Sequence, residues 1–212
     1  MEICIVSDAD SWIKPYVYKL FDELVRLGHS VNLKNKFDSS RCYEVVFLLS
    51  YSKVIKEEEL RLNKHNIVVH ESDLPKGKGW SPLTWQIIEG KNQISITLFE
   101  ADEKVDNGDI YLQKVLSFNG SELVDELRLA QGTATVDLCC EFLENYNEVI
   151  ENKRAQCGEE TFYRRRRPVD SKLDIDATIR NQFNLLRVVD NEKYPAFFEI
   201  NGVKYLLKIY KA

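Results

Sequence analysis

Short apolar runs alternate with helical repeats through the first half of the chain. Residues 2–7 form an apolar run that is typical of a strand buried on both faces. An apolar repeat at three- and four-residue steps then predicts a helix that stops at Gly28. Further strands are predicted at 29–34, 44–49, 66–70, 93–99 and 110–118, and further helices at 56–63 and 81–89. This alternation predicts an α/β fold with a mostly parallel, Rossmann-like sheet flanked by helices.

The second half of the chain begins with its longest helical pattern, residues 121–153. Apolar residues share one face of it, Ser121 is a candidate N-cap, and Gly132 weakens its middle. The chain then becomes polar and basic at about residue 155.

A small C-terminal α+β subdomain is expected after this change of character. Residues 176–189 form a helical pattern, and two strand-like runs flank Asn201-Gly202, which is a strong hairpin signal. We therefore predict a main domain at 1–155 and a smaller one at 156–212 that ends in a hairpin.

Composition and charge exclude several classes of protein. The chain has 212 residues, of which 44% are hydrophobic and 30% charged, as in a globular protein. A net charge of −5 argues against broad nucleic-acid binding, and no apolar run is long enough to span a membrane. The five cysteines lack metal-ligand spacing, so we expect no metal, reduced thiols and a cytoplasmic location.

The ends of the predicted parallel strands carry the polar residues of a candidate pocket. These ends are Ser7-Asp8, Ser50-Tyr51 and His70-Glu71-Ser72, and ligands bind at the carboxyl ends of such strands. The first turn, SDADSW, contains no glycine, which argues against a dinucleotide fingerprint. A second polar feature is the acidic turn at residues 106–109, between two later strands.

Three segments together resemble the folate-dependent formyltransferases, which include glycinamide ribonucleotide, methionyl-tRNA and amino-sugar enzymes. They are HESDLP at 70–75, GWSP at 79–82 and VDNGDI at 105–110. The family patterns are N-x-H-x-S-x-L-P, then G-x-x-P, then a downstream D-x-G. The resemblance covers about residues 40–118 and continues more loosely into RRRRPVDSKLD of the C-terminal segment.

The resemblance implies formyl transfer from 10-formyltetrahydrofolate, the co-substrate, to a primary amine. His70 then matches the catalytic histidine and Asp106 the catalytic aspartate. An imidazole can stabilise the oxyanion that forms when an amine attacks a formyl carbon. The residues implied to border the folate are Leu49, Ser50, Tyr51, Ile55, Ala101, Val105 and Asp106.

The loop after His70 is the candidate acceptor site, with Ser72, Lys76, Lys78 and Trp80 as candidate substrate-binding residues. The two lysines either solvate the loop or hold acceptor phosphates. Trp80 is a candidate for stacking on a substrate ring. The basic run 164–167 reads more readily as a solvated, ion-paired segment than as a phosphate site.

One position departs from the family pattern. The asparagine expected two residues before His70 is Val68, and Asn66 lies about 13 Å away at roughly 3.3 Å per strand residue. Loss of one oxyanion donor typically costs about 10²–10³ in rate. Either another donor serves, or catalysis is weak or absent.

The acceptor is expected to be a nucleotide-linked amino sugar, as in surface-polysaccharide biosynthesis. The C-terminal segment is short for a tRNA-binding barrel and the chain is acidic, while a glycinamide ribonucleotide enzyme would lack the basic extension. Two alternatives stay open: a methionyl-tRNA-type formyltransferase, and a folate- or nucleotide-binding domain with little or no catalysis. The long helix and the hairpin both offer surfaces for a homodimer.

Overall fold

The computed structural model describes residues 1–212. The strands are β1 (Glu2–Val6), β2 (Ser30–Lys34), β3 (Val45–Leu48), β4 (His65–His70), β5 (Lys78–Gly79), β6 (Gln93–Glu100), β7 (Ile110–Ser117), β8 (Phe162–Tyr163), β9 (Ala196–Ile200) and β10 (Val203–Leu207). The helices are α1 (Lys14–Arg26), α2 (Glu57–Leu60), α3 (Pro82–Ile88), α4 (Val124–Glu144), α5 (Tyr146–Glu151) and α6 (Phe183–Arg187), with a 3₁₀ turn at Pro168–Ser171.

Six strands form one sheet in the order β2-β1-β3-β4-β6-β7. The first four are parallel, and β6 and β7 run antiparallel to their neighbours. The predicted α/β fold with a mostly parallel sheet is therefore confirmed. No helix in the structure has both the length and the apolarity needed to cross a membrane.

The main core lies between the sheet and the pair α1 and α4. Leu20 and Leu24 of α1 and Phe142 of α4 pack on the fully buried Ile5 and Phe47 of the central strands. A smaller cluster covers the other face of the sheet and includes Cys4, Leu48 and Ile55. The loops at the carboxyl ends of β1, β3 and β4 therefore leave a sheet that is packed on both faces.

The predicted long helix differs from the observed one at its start and in its length. α4 begins at Val124, and the Glu126 carboxylate accepts the Leu123 N–H at 2.9 Å. Ser121 is not the N-cap, because its hydroxyl donates to Asn119 at 2.6 Å instead. The helix breaks at Asn145, whose side chain donates to the Glu141 carbonyl, and α5 follows as a separate helix.

The predicted helix at 176–189 is wrong over most of its length, since only Phe183–Arg187 is helical. The Gln182 side chain accepts the Asp174 N–H at 3.0 Å and donates to the Asp174 carbonyl at 3.1 Å. These bonds hold the preceding residues as a loop, because side chain–backbone bonds compete with helical ones. The hairpin at Asn201-Gly202 is confirmed by the antiparallel pairing of β9 and β10.

Candidate functional site

A cavity of about 800 Å³ opens at the carboxyl ends of the parallel strands. Asp8 after β1, Ser50 and Tyr51 after β3, and His70 at the end of β4 all line it. This is the edge of the sheet where the sequence places a ligand site. The volume is of the size that accommodates a small organic ligand.

His70 and Asp106 meet at the centre of this cavity. His70 Nε2 lies 3.8 Å from Asp106 Oδ2, and the two side chains are only 9% and 12% exposed. His70 Nε2 also lies 2.8 Å from the Gly77 carbonyl oxygen. Because a carbonyl can only accept, this contact requires a proton on Nε2, which His70 donates to Gly77.

The turn that presents Asp106 is built around close backbone contacts. Asp106 has a φ of 53°, a left-handed conformation that aspartate tolerates better than most residues. Its Oδ2 accepts the Gly79 N–H at 2.8 Å, and Gln156 donates to the Asp106 and Gly108 carbonyls at 3.0 Å each. These bonds aim the carboxylate at the His70 ring.

Gly108 serves this turn through close packing and not through a positive φ. Its φ is not positive, and Asp106 instead adopts the left-handed conformation. A Cβ at position 108 would overlap the carbonyl oxygen of Glu100 on β6. Glycine is required because the turn passes close to the neighbouring strand.

Every residue predicted to border the folate lines the cavity. The seven are Leu49, Ser50, Tyr51, Ile55, Ala101, Val105 and Asp106. Three of them, Tyr51, Ile55 and Ala101, pack in the same apolar cluster as Val68. The predicted cofactor side therefore has an apolar wall on the same face of the sheet as His70.

Val68 also lines the cavity, so no amide stands where the family pattern places one. Asn66 does not replace it, because its side chain donates to the Leu60 carbonyl at 2.9 Å and accepts from Asn63 at 3.0 Å. That amide is buried and fully used in holding the α2 loop.

The four candidate substrate-binding residues separate in the structure, and only Trp80 lines the cavity. Lys78 is 1% exposed, and its Nζ lies 2.6 Å from Glu160 and 3.1 Å from Asn107. Lys76 is exposed outside the cavity, and Ser72 is buried with an unpartnered hydroxyl. The lysines therefore do not reach this cavity: Lys78 is held by its ion pair, and Lys76 faces solvent.

Helix α4 and the C-terminal segment supply cavity residues that sequence reasoning missed. Arg128, Gln131 and Thr135 of α4 line it, as do Arg165, Lys193 and Tyr194 of the C-terminal segment. The spacing of the first three at i, i+3 and i+7, which places these polar residues on one face of the helix, is a signal that could have identified them. The last three depend on long-range packing, for which the sequence contains no local signal.

Glu71 is a further cavity residue that is not among the predicted site residues. Burial raises the pKa of its carboxyl, while His70 and a hydrogen bond from Gln131 act in the opposite direction. A carboxyl, an imidazole and a second carboxylate therefore face one desolvated space. This is a constellation suited to proton transfer and to stabilising a developing charge.

Comparison with known proteins gives one family match. The family model described as formyl transferase matches residues 31–134. The methionyl-tRNA formyltransferase of Thermodesulfovibrio yellowstonii is 30% identical over 145 residues, which are 68% of this chain and 47% of that protein. The chain thus spans about half the length of the curated relatives that it matches.

Solved structures share the fold over the whole chain. A methionyl-tRNA formyltransferase from Clostridium thermocellum has a TM-score of 0.83 at 22% identity, covering 100% of this chain and 94% of that one. A likely sugar N-formyltransferase from Mycobacterium tuberculosis has a TM-score of 0.75 at 17% identity, covering 99% and 97%. At these identities the likeness shows the fold alone.

Proposed function

Because the chain carries a domain of the formyl transferase family, we propose that it transfers a formyl group from 10-formyltetrahydrofolate to the primary amine of a small substrate. The observation that carries the proposal is the contact between His70 and Asp106 at 3.8 Å inside the cavity. Both residues occupy the family's motif positions, and both are largely shielded from solvent. Shielding strengthens the electrostatic interactions on which such a transfer depends.

In the proposed mechanism His70 acts on the formyl oxygen. As the amine nitrogen attacks the formyl carbon, that oxygen becomes negatively charged and accepts the Nε2–H of His70 in place of the Gly77 carbonyl. The Asp106 carboxylate lies 3.8 Å from the same nitrogen and stabilises positive charge that develops on the ring. The bond from the formyl carbon to N10 of the folate then breaks, the amine loses a proton and N10 takes one up, and the former amine nitrogen keeps the formyl group.

The cavity's two sides suggest where each substrate binds. The wall that contains Tyr51, Ile55 and Ala101 is apolar and fits the folate ring system. The opposite side contains Trp80 and two cations from the C-terminal segment, Arg165 and Lys193, neither in an ion pair. The Arg165 guanidinium stacks 4.7 Å over the Trp80 ring, an arrangement suited to a phosphate beside an aromatic base.

These features support a nucleotide-linked amino sugar as the acceptor. The curated relatives bear the name of a tRNA enzyme, so methionyl-tRNA is the competing acceptor. Incubation with 10-formyltetrahydrofolate and either aminated dTDP- and UDP-sugars or initiator methionyl-tRNA separates the two. We expect tetrahydrofolate release with a sugar; release only with tRNA, with affinity falling steeply in salt, would overturn the sugar assignment.

Val68 favours one alternative, a domain that binds folate with little turnover. We expect Val68→Asn to raise kcat about tenfold without changing folate affinity, because it adds an amide donor on the face of β4 that carries His70. Stopped-flow measurement of tetrahydrofolate release checks this, with Val68→Leu as a control that is close in size to asparagine and has no donor. An unchanged kcat in an active protein would show that another group already fills the donor position.

A further inference from the structure

The end of β4 has two functional faces, because successive residues of a strand point to opposite sides of the sheet. Val68 packs with Tyr51 and Ala101 on the face proposed to bind folate. Ile67 and Val69 pack with α1 and α4 on the other face. The cavity reaches both faces where the strand ends, and lining residues come from each.

Glu71 continues the second face, so its carboxyl points away from the folate side. Its side chain lines the cavity together with that of Gln131 of α4, whose amide acts to lower the pKa of the Glu71 carboxyl. Its backbone is fixed as well, because Gln86 of α3 donates to the Glu71 carbonyl at 2.7 Å. Glu71 is therefore held next to His70, but on the side of the cavity that α4 and the C-terminal segment enclose.

No lysine or arginine forms an ion pair with Glu71. The cation closest along α4 is Arg128, which is paired with Asp190 at 2.9 Å and lies over the Trp12 ring. The other acidic, basic and histidine side chains that line the cavity are Asp8, Asp10, Lys53, His70, Asp102, Lys104, Asp106, Arg165 and Lys193. A half-buried carboxyl that lines a cavity and lacks a counter-ion is a favourable site for a ligand cation.

We propose that Glu71 binds the primary ammonium of the acceptor and takes its proton as the nitrogen attacks the formyl carbon. This inference rests on the proposed formyl transfer and assigns the amine end of its second substrate. One N–H bond of the ammonium breaks and its proton passes to Glu71, which frees the nitrogen lone pair to bond to the formyl carbon. A second N–H bond breaks as the bond from that carbon to N10 of the folate breaks, and N10 takes up this second proton. The products are a formamide, tetrahydrofolate and a protonated Glu71, which then releases its proton to solvent.

The assignment gives the two acidic residues of the site different tasks. Asp106 lies beside the His70 ring and supports the group that meets the formyl oxygen. Glu71 lies on the other face, where the amine must approach if the folate occupies the apolar wall. Burial raises the pKa of Glu71, which makes it a better proton acceptor than an exposed carboxylate.

The test compares Glu71→Gln with Glu151→Gln, the same change at an exposed position outside the cavity. We expect Glu71→Gln to raise KM for the amino-sugar nucleotide at least tenfold and to lower kcat about 10²-fold, with KM for 10-formyltetrahydrofolate unchanged. Glu71→Asp should recover part of the loss, and Glu151→Gln should behave as the wild type. Unchanged acceptor KM and kcat in Glu71→Gln would overturn the inference.

The pH profile supplies a readout that a purely structural role would not move. The base must be ionised, so kcat/KM falls as pH drops through the raised pKa of Glu71. Gln131→Leu removes a hydrogen bond that lowers this pKa, so the acid limb should shift to higher pH. Because this variant retains the Glu71 carboxyl, it also tests the inference if Glu71→Gln does not fold. An acid limb of kcat/KM at the same pH as in the wild type would count against the inference.

The failure of the inference differs from that of the proposed function. A wild-type protein that releases no tetrahydrofolate with any amine overturns the formyl transfer, and the role of Glu71 with it. A wild-type protein that turns over an acceptor, with a Glu71→Gln variant of equal activity, overturns the role of Glu71 alone.

Discussion

At the scale of single residues, the charge of Asp106 is separable from its structural role. Its Oδ2 accepts the Gly79 N–H at 2.8 Å and also lies 3.8 Å from His70 Nε2. An asparagine at this position can keep the first interaction, since its amide oxygen is also an acceptor. It removes the negative charge from the second.

We therefore expect Asp106→Asn to lower kcat about 10²-fold while the melting temperature stays close to that of the wild type. The physical reason is the loss of a negative charge 3.8 Å from His70 Nε2, which stabilises positive charge that develops on the ring during attack. Steady-state kinetics and thermal denaturation check the two halves of this prediction. A variant that loses kcat only because it unfolds would contradict the separation of roles.

At the scale of elements, the crossing of α1 and α4 explains a glycine that helix propensity alone disfavours. Gly132 lies in the middle of α4, and a Cβ there would overlap the ring of Tyr16 on α1. Intrinsic propensity favours alanine over glycine by about 1 kcal/mol in a helix interior. The overlap acts against this, because overpacking typically costs about 1–3 kcal/mol.

We expect Gly132→Ala to lower the free energy of unfolding by about 1–2 kcal/mol. In a Tyr16→Leu background, where the ring is absent, the same change should be neutral or stabilising. Urea denaturation of the four proteins in this double-mutant cycle measures the difference. A stabilising Gly132→Ala in the wild-type background would show that α1 and α4 do not approach this closely.

The elements also show what sequence can and cannot predict here. The buried strands and the hairpin at Asn201-Gly202 were predictable because their signals are local. The false helix at 176–189 arose because periodicity does not register the bonds between Gln182 and Asp174, nor the burial of Arg187, which pairs with Glu122 at 3.0 Å. Long-range partners decided the structure of that segment.

The candidate site shows the same difference between local signals, which the sequence contains, and long-range contacts, which it does not reveal. His70 and Asp106 were predictable from motif spacing, and the structure brings them into contact. Lys78 was predicted as a substrate-binding residue, but it contacts Glu160, which lies 82 residues away in the chain and could not be identified as its partner from the sequence. Arg165 and Lys193 enter the cavity only through the packing of the C-terminal segment.

At the scale of the whole molecule, residues 156–212 contribute to the cavity as well as to the fold. Gln156 donates to the carbonyls of the turn that carries Asp106, and β8 pairs with β5 beside Gly79. We propose that the chain divides into residues 1–155, which build the site, and residues 156–212, which complete its acceptor side. The family match at 31–134 lies wholly within the first part.

The most direct test of this account is tetrahydrofolate release from 10-formyltetrahydrofolate in the presence of an aminated nucleotide sugar. We expect the wild type to release tetrahydrofolate in proportion to formylated amine, and His70→Ala to be at least about 10²-fold slower. Folate binding by the variant, measured by calorimetry, should be retained. Equal release by the wild type and His70→Ala would contradict the catalytic role of His70, on which the proposed mechanism depends.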